Sequence, residues 1–273
     1  MATRQRTVLT TGANSGIGLA TTIEAARRGH RSVGTVRSDD KAKVVHAAAD
    51  EAGVKVETAI LDVTDAETAV EVVGEIRPDA LVNNAGFSIT GAIEDVTDDE
   101  ARFAFETMVL APMRLARLAA PHMRERKWGR IINVSSIYGR TTTPLTGWYQ
   151  GCKHALEGLS DALRMEVARD NIKVVLVEPG GFKTGIWAET EREVEKRAGS
   201  RFDSNYSRTL STTKLMQPLM GQPARCGAVI LDAIEGNPRA RYLVGIDAQA
   251  LSLMESFTPT AIKDRVTRFT LGL

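Results

Sequence analysis

Short runs of β-branched and apolar residues alternate with longer stretches of helical period through most of this chain. That alternation constrains its fold most, because consecutive strands joined by helices are βαβ crossovers that lie parallel. The runs Thr7–Thr11, Ser32–Val36, Val56–Leu61, Ala80–Val82, Arg130–Val134, Lys173–Val177 and Arg241–Val244 are predicted as strands. Between them Ile17–Arg28, Asp39–Ala52, Asp65–Ile76, Asp98–Arg126, Tyr149–Arg169 and Ala224–Ile234 have helical spacing, the first closed by Gly29.

About seven strands with intervening helices predict an α/β protein with a Rossmann-type doubly wound parallel sheet. At 273 residues the chain is within reach of one core, so residues 1–273 are expected to form a single domain. The pattern weakens over residues 185–222, which read as a small helical insertion covering a site, followed over 223–273 by a final helix, strand and C-terminal helices. A solvated helix pair with no role fits the charged part, Glu189–Lys196, equally well.

Composition removes whole classes of function. Apolar residues make up 43% and charged residues 25%, which argues against disorder and collagen-like repeats. Lys+Arg 35 against Asp+Glu 34 leaves a net charge of +1 with no basic block, so no nucleic-acid partner is expected. No apolar run reaches membrane-spanning length, and the start of the chain has no secretory signal pattern. Cys152 and Cys226 are too few for a disulfide framework and form no C-x-x-C, so a reducing cytoplasmic setting is expected. The four histidines show no metal-ligand spacing and no G-x-S-x-G occurs, which leaves no metal site and no serine hydrolase.

The first strand runs into Thr11-Gly12-Ala13-Asn14-Ser15-Gly16-Ile17-Gly18 at the start of a helix. Glycines let the backbone turn sharply and approach a ligand, and the free N–H groups of a helix N-terminus attract phosphate. This suits a dinucleotide pyrophosphate, although the same glycines would also serve a tight turn with no ligand. After the second strand, where such sheets choose between an acidic residue for NAD and a basic one for NADP, the chain reads Val36-Arg37-Ser38. A guanidinium and a hydroxyl suit a 2′-phosphate, so NADP(H) is favoured over NAD(H). Asp39 and Asp40 belong to the next helix N-terminus.

Tyr149 and Lys153 lie four apart near a predicted helix start, on one face. A neighbouring ammonium favours tyrosinate, lowering the tyrosine pKa toward a range useful for proton exchange with a substrate oxygen. Thirteen residues upstream of Tyr149, Ser136 follows a strand end that should open into the ligand crevice. Cys152 points to another helix face and reads as a buried structural thiol.

With these motifs in order, the sequence resembles the short-chain dehydrogenase/reductase family over about residues 5–185. The resemblance rests on Thr11–Gly18, Leu61-Asp62-Val63, Asn83-Asn84-Ala85-Gly86, Ser136, Tyr149-x-x-x-Lys153 and Glu178-Pro179-Gly180-Gly181-Phe182-Lys183-Thr184. It implies that Gly12, Asn14, Ser15, Gly16, Ile17 and Gly18 hold the pyrophosphate, Arg37 and Ser38 the 2′-phosphate, and Asp62 with Val63 the adenine. Asn84, Ala85 and Gly86 would back the cofactor, and Pro179, Gly180, Phe182 and Thr184 would lie toward the nicotinamide. Tyr149 would be the general acid of reduction, Lys153 would bind ribose and tune Tyr149, and Ser136 would orient the carbonyl. Homodimers or homotetramers built on the helices around Asp98–Arg126 and Tyr149–Arg169 are implied as well.

One position departs from the family pattern. Where many members carry a relay asparagine, this chain has Met108, followed by Pro112. A methionine there simply packs; yet Pro112 has no N–H for the carbonyl of residue 108, which leaves that carbonyl for a relay water. Two readings stay open. One is an NADP(H)-dependent oxidoreductase moving hydride between nicotinamide and a carbonyl or secondary alcohol; the other is an NADP(H)-binding sensor or scaffold with little turnover. Trp148, Trp187, Phe182, Thr141–Thr143 and Leu145 are expected to form a mainly apolar pocket wall, which points to a hydrophobic small-molecule substrate.

Overall fold

The structure, a computed structural model, describes residues 4–273, apart from the side chains at positions 186–188 and 256. Its centre is one parallel sheet of β1 (Thr7–Thr11), β2 (Arg31–Val36), β3 (Glu57–Ile60), β4 (Ala80–Asn83), β5 (Gly129–Val134), β6 (Ile172–Pro179) and β7 (Arg241–Val244), in the order β3-β2-β1-β4-β5-β6-β7. The order reverses between β1, which pairs with β2, and β4. In such sheets that switch point opens a crevice beyond the strand C-termini.

Side chains alternate along each strand, so successive residues feed opposite layers. Leu9, Leu81, Ile131 and Val174 pack beneath α3 (Ala66–Ile76) and α5 (Ala111–Glu125), against Val73, Leu115 and Met123. Val8, Val82, Ile132, Val175 and Val177 face the other way, toward Ile230, Leu231 and Ile234 of α9 (Pro223–Glu235), with Ala25 of α1 (Gly16–Arg27) in the same layer. Two covered faces explain why the central strands read as unbroken apolar runs.

α2 (Asp39–Glu51) follows β2, with Asp39 and Asp40 in its first turn. The stretch predicted as one helix over 98–126 is interrupted: α4 (Asp98–Phe105) passes through a π-helical turn, Glu106–Leu110, into α5. Pro112, near the start of α5, has no N–H to continue the regular ladder, and the widened turn sits where that donor is missing. α6 (Gly147–Glu166) carries the Tyr149 and Lys153 pair.

Residues 185–222 contain α7 (Ile186–Glu195) and α8 (Asp203–Met216), and the chain ends in α10 (Ile246–Phe257) and α11 (Thr260–Leu271). α8 is fastened to the loop after β4. The Tyr206 ring is buried, its hydroxyl donates to Asp95 at 2.5 Å, and it accepts the Ala92 N–H at 2.7 Å. Ser200 donates to the same Asp95 carboxylate, and the enclosed Arg197 guanidinium meets Glu100 at 2.7 Å.

Candidate active site

The C-terminal ends of β1, β2, β4, β5 and β6 bring the motif residues to one edge of the sheet. At the first, Gly12 takes φ +65°, and a Cβ on Gly18 would come within 2.3 Å of the Gly12 carbonyl, so only glycine lets the loop fold onto the helix start. Ser15 is the N-cap of α1 and spends no side-chain hydrogen bond on it; the first turn holds no acidic residue. Hydroxyl, N–H groups and dipole are thus left for an anion, and the loop fits a pyrophosphate. Asn14 stands in the same loop.

The end of β2 holds Arg37 and Ser38 exposed, and among the described residues Arg37 has no hydrogen bond or ion pair. Ser38 is the N-cap of α2, again without a side-chain capping bond. Asp62 uses one carboxylate oxygen, Oδ1, on the Thr64 N–H and hydroxyl. The Val63 side chain is in the core and its carbonyl accepts from Arg114. Asn84 donates to the Thr11 carbonyl at 2.9 Å, and the Asn84 and Ala85 N–H groups both donate to the Thr11 hydroxyl at 3.0 Å. These bonds tie the Asn83–Gly86 turn to the glycine loop.

At the end of β5, Ser136 opens a 3-10 turn, Ile137–Gly139, and its hydroxyl accepts the Tyr138 N–H at 3.2 Å. Tyr138 and Tyr149 meet edge to face, ring centres 6.4 Å apart. The loop from Thr141 into α6 is pinned by buried Gln150, which donates to the Thr143 and Thr146 hydroxyls and accepts the Thr143 N–H. Leu145 is held at φ +69°, a conformation rare for leucine, by its carbonyl bond to the Gly91 N–H and by packing against Tyr206.

Lys153 is 5% exposed and donates to the Val134 carbonyl at 2.9 Å, with its ammonium 5.7 Å from the Tyr149 ring centre. Burial brings the Lys153 ammonium down to about 8. Burial also pushes the Tyr149 hydroxyl up to about 12, opposed by the Ser136 hydroxyl. The expected lowering of Tyr149 by its lysine is therefore corrected for this structure: desolvation outweighs it, and the ammonium is turned to the strand end. Cys152 is fully buried and pushed up to about 11, as an inert thiol should be.

Met108, on the π-helical turn, is 1% exposed and packs with Ile89, Ala104 and Cys152; a Cβ on Gly86 would meet its Cγ at 3.5 Å. The apolar wall expected above also changes. Phe182 is buried among core residues of β1, β4 and β6 and lies against Gly221, while Leu145 sits beneath α8, so neither ring nor branch lines an open cleft. The side chain of Trp187 lies outside the described residues. Trp148 packs edge-on to Phe105 and donates to the Ile93 carbonyl, beside the 62% exposed Ile93 side chain.

Pro179 ends β6, and Gly180 and Gly181 turn against Asp247 of α10, whose carboxylate accepts the Gly181 N–H at 2.5 Å. A Cβ on Gly180 would sit 2.2 Å from that carboxylate. Thr184 then folds back to the glycine loop, its side chain 3.1 Å from where a Cβ on Gly16 would be. Asp247, Tyr206 and Arg140 were not singled out by the sequence, and Glu178 entered only as the first residue of the 178–184 motif, with no role of its own. The glycine pair at 180–181 was the one local sign that something packs close there.

The family model for short chain dehydrogenase matches residues 6–195. The chain belongs to that family. As a short-chain dehydrogenase it is an oxidoreductase enzyme using a nicotinamide dinucleotide. It is similar to the 3-ketodihydrosphingosine reductase of Bacteroides thetaiotaomicron, 33% identical over 252 residues covering 89% of each chain. It is similar also to the NADPH-dependent 3-dehydrocapnine reductase of Ornithobacterium rhinotracheale, 33% identical over 258 residues covering 88% of each chain. Among solved structures, a short-chain dehydrogenase from Streptomyces avermitilis superposes with a TM-score of 0.79 at 32% identity, covering 98% of this chain and 97% of that one. Among the described residues no helix is long and apolar enough to cross a membrane.

Proposed function

We propose that this short-chain dehydrogenase interconverts a ketone and a secondary alcohol with NADP(H), on a hydrophobic small molecule. The observation that carries the reading is the convergence of Ser136, Tyr149 and Lys153 at the C-terminal end of β5, on the same side of the sheet as the glycine loop after β1. When bound, the nicotinamide supplies or accepts the hydride. Tyr149 gives its proton to the carbonyl oxygen during reduction and Ser136 holds that oxygen. Lys153 binds ribose and stabilises the tyrosinate that forms.

Gly12, Asn14, Ser15, Gly16, Ile17 and Gly18 hold the pyrophosphate; Arg37 and Ser38 hold the 2′-phosphate; Asp62 and Val63 hold the adenine. Asn84, Ala85 and Gly86 back the cofactor, while the backbone from Pro179 and Gly180 through Phe182 to Thr184 borders the nicotinamide. The exposed Arg37, unpaired among the described residues, supports NADP(H), as does the relative named NADPH-dependent. Ketone reduction agrees with relatives named for 3-ketodihydrosphingosine and 3-dehydrocapnine, and the exposed Ile93 beside Trp148 supplies apolar surface at the mouth.

In this reading residues 1–273 form one domain, with 185–222 covering the substrate and 223–273 completing the fold. Homodimers or homotetramers form on the helices around Asp98–Arg126 and Tyr149–Arg169, where Phe103 and Leu110 of the first and Leu159 and Met165 of the second are exposed. The buried thiols of Cys152 and Cys226, both unpaired, agree with a cytoplasmic location.

A sensor or scaffold with little turnover is the second reading, favoured by Met108 alone. Its carbonyl, beside Pro112, can still hold a relay water toward Lys153, which keeps the first reading ahead. NADPH oxidation against a panel of ketones tests the choice. Tyr149→Phe is expected to lower kcat by about 100-fold or more while NADPH affinity by fluorescence titration stays within about threefold. Turnover like that of the wild type in this variant refutes the proton assignment.

A further inference from the structure

Behind the three proposed catalytic residues lies a cluster of charges that the mechanism above does not use. Glu178, next to last in β6, is 0% exposed. Its Oε2 takes Arg140 Nη1 at 3.4 Å and its Oε1 faces Arg241 Nε at 3.2 Å. Arg140 closes the 3-10 turn that follows Ser136, and Arg241 opens β7. One carboxylate thus joins the Ser136 turn to the strand that runs into Pro179–Thr184.

The cluster reaches α6 as well. Glu157, one turn beyond Lys153 and on the same face as Tyr149, accepts from Arg241 Nε at 3.2 Å. Asp161 accepts from the same guanidinium at 2.5 Å and from Arg164 at 3.1 Å. A Cβ on Gly139 would approach the Ser135 hydroxyl to 2.7 Å and Glu157 Oε1 to 3.1 Å, so the turn carrying Ser136 rests directly on the cluster.

We propose that Glu178, acting through Arg140 and Arg241, is a positioning residue that holds the Ser136 turn and the Pro179–Thr184 segment in register for hydride transfer. The proposal rests on the function given above. A hydrophobic residue would hold β6 to β7 with no desolvation cost, so stability alone does not account for a buried carboxylate at this place. The Arg140 bond to Oε2 instead fixes direction, since a charge-assisted bond has a required geometry, while Arg241, whose Nε–H is spent on Glu157, holds Oε1 by charge alone and leaves it without a hydrogen bond among the described residues.

The charges facing Glu178 are Arg140 beyond the 3-10 turn, Glu157 and Asp161 on α6, and Arg241 on β7; Asp247 on α10 faces the adjacent Gly180–Gly181 turn, with Tyr138 nearby. Burial, reinforced by Glu157, pushes the Glu178 carboxyl up to about 7. Protonation below that pH neutralises the acceptor of the Arg140 bond, so the register loosens as pH falls through about 7.

The test compares wild type, Glu178→Gln, Arg140→Gln and the double variant by steady-state kinetics from pH 6 to 9, by thermal unfolding, and by the emission of bound NADPH. The expected result for Glu178→Gln is a kcat lower by about tenfold or more with KM for NADPH within about threefold, because misplacement touches the transition state more than binding. The acidic limb near pH 7 disappears, bound NADPH emits differently, and the double variant loses no more than Glu178→Gln alone.

Unchanged kcat, pH profile and emission in Glu178→Gln overturn the proposal and leave the cluster a structural one; so do losses that multiply in the double variant. If Glu178→Gln does not fold, Arg140→Gln, at a half-exposed guanidinium, is measured in the same three ways, and the same outcomes support or overturn the proposal. A wild type that binds NADPH but turns over no ketone defeats the proposed function, and the emission comparison still decides this inference. A wild type that does not bind NADPH defeats both.

Discussion

Lys153 donates to the backbone carbonyl of Val134 at 2.9 Å, two residues before Ser136. The bond fastens α6 to the end of β5, so the lysine and the serine turn share one anchor. It also places a buried ammonium where burial has brought it down to about 8.

That value sets a pH dependence. The unfolded chain keeps the lysine proton up to its ordinary pKa near 10.5, whereas the folded chain releases it above about 8. Between those limits the unfolded state binds more protons, so the Lys153 contribution to stability rises with pH across the window. Lys153→Met is therefore expected to melt at or above the wild type at pH 7, with the difference shrinking toward pH 10. Scanning calorimetry of both proteins across that range checks it.

Arg37 stands exposed at the end of β2 with no partner among the described residues. Replacing it by aspartate removes a charge-assisted bond to the 2′-phosphate and adds repulsion. The expected outcome is a KM for NADPH raised about 10- to 100-fold, with kcat/KM for NADH rising. A wild type that already prefers NADH overturns the assignment of Arg37.

The hydroxyl of Tyr206 serves both Asp95 and the Ala92 N–H inside a buried contact between α8 and the loop after β4. Tyr206→Phe keeps the ring, leaves the Ala92 N–H without its acceptor and leaves Asp95 with the Ser200 hydroxyl alone among the described residues. A loss of about 1–3 kcal/mol in unfolding free energy is expected. Faster amide exchange over residues 185–222 should accompany it, and exchange unchanged there means that other contacts hold the segment.

Met108 fills an apolar pocket against Gly86 and Cys152. Met108→Asn buries an amide there and is expected to cost about 1–3 kcal/mol in stability. Turnover should remain within about threefold of the wild type, because the relay in this chain is assigned to the backbone carbonyl. A gain of tenfold or more shows that the side chain was the missing part and supports the sensor reading of the wild type.

The strands and helices were legible because period 2 and period 3.6 are local, and the glycine loop and the Tyr149–Lys153 pair because each lies within a few residues of chain. The end of the regular helix near Pro112 was partly legible, since a missing N–H is a property of one residue; that the chain answers with a π-helical turn was not. The direction of the Tyr149 shift was misjudged from spacing alone. Two residues four apart share a face, but desolvation is set by everything folded around them, and it dominates here.

What the sequence determined by itself was the alternation of elements, the doubly wound parallel sheet that this implies, and the residues offered at its C-terminal edge. Only the tertiary structure decided that Phe182 and Leu145 belong to the packing, that Tyr206 reaches Asp95 across 111 residues, and that Glu178, Arg140 and Arg241 meet behind Ser136. The reason is range: turns and periodicity act within a few residues. Burial, and the ion pairs that burial makes decisive, depend on neighbours that only the completed sheet brings together.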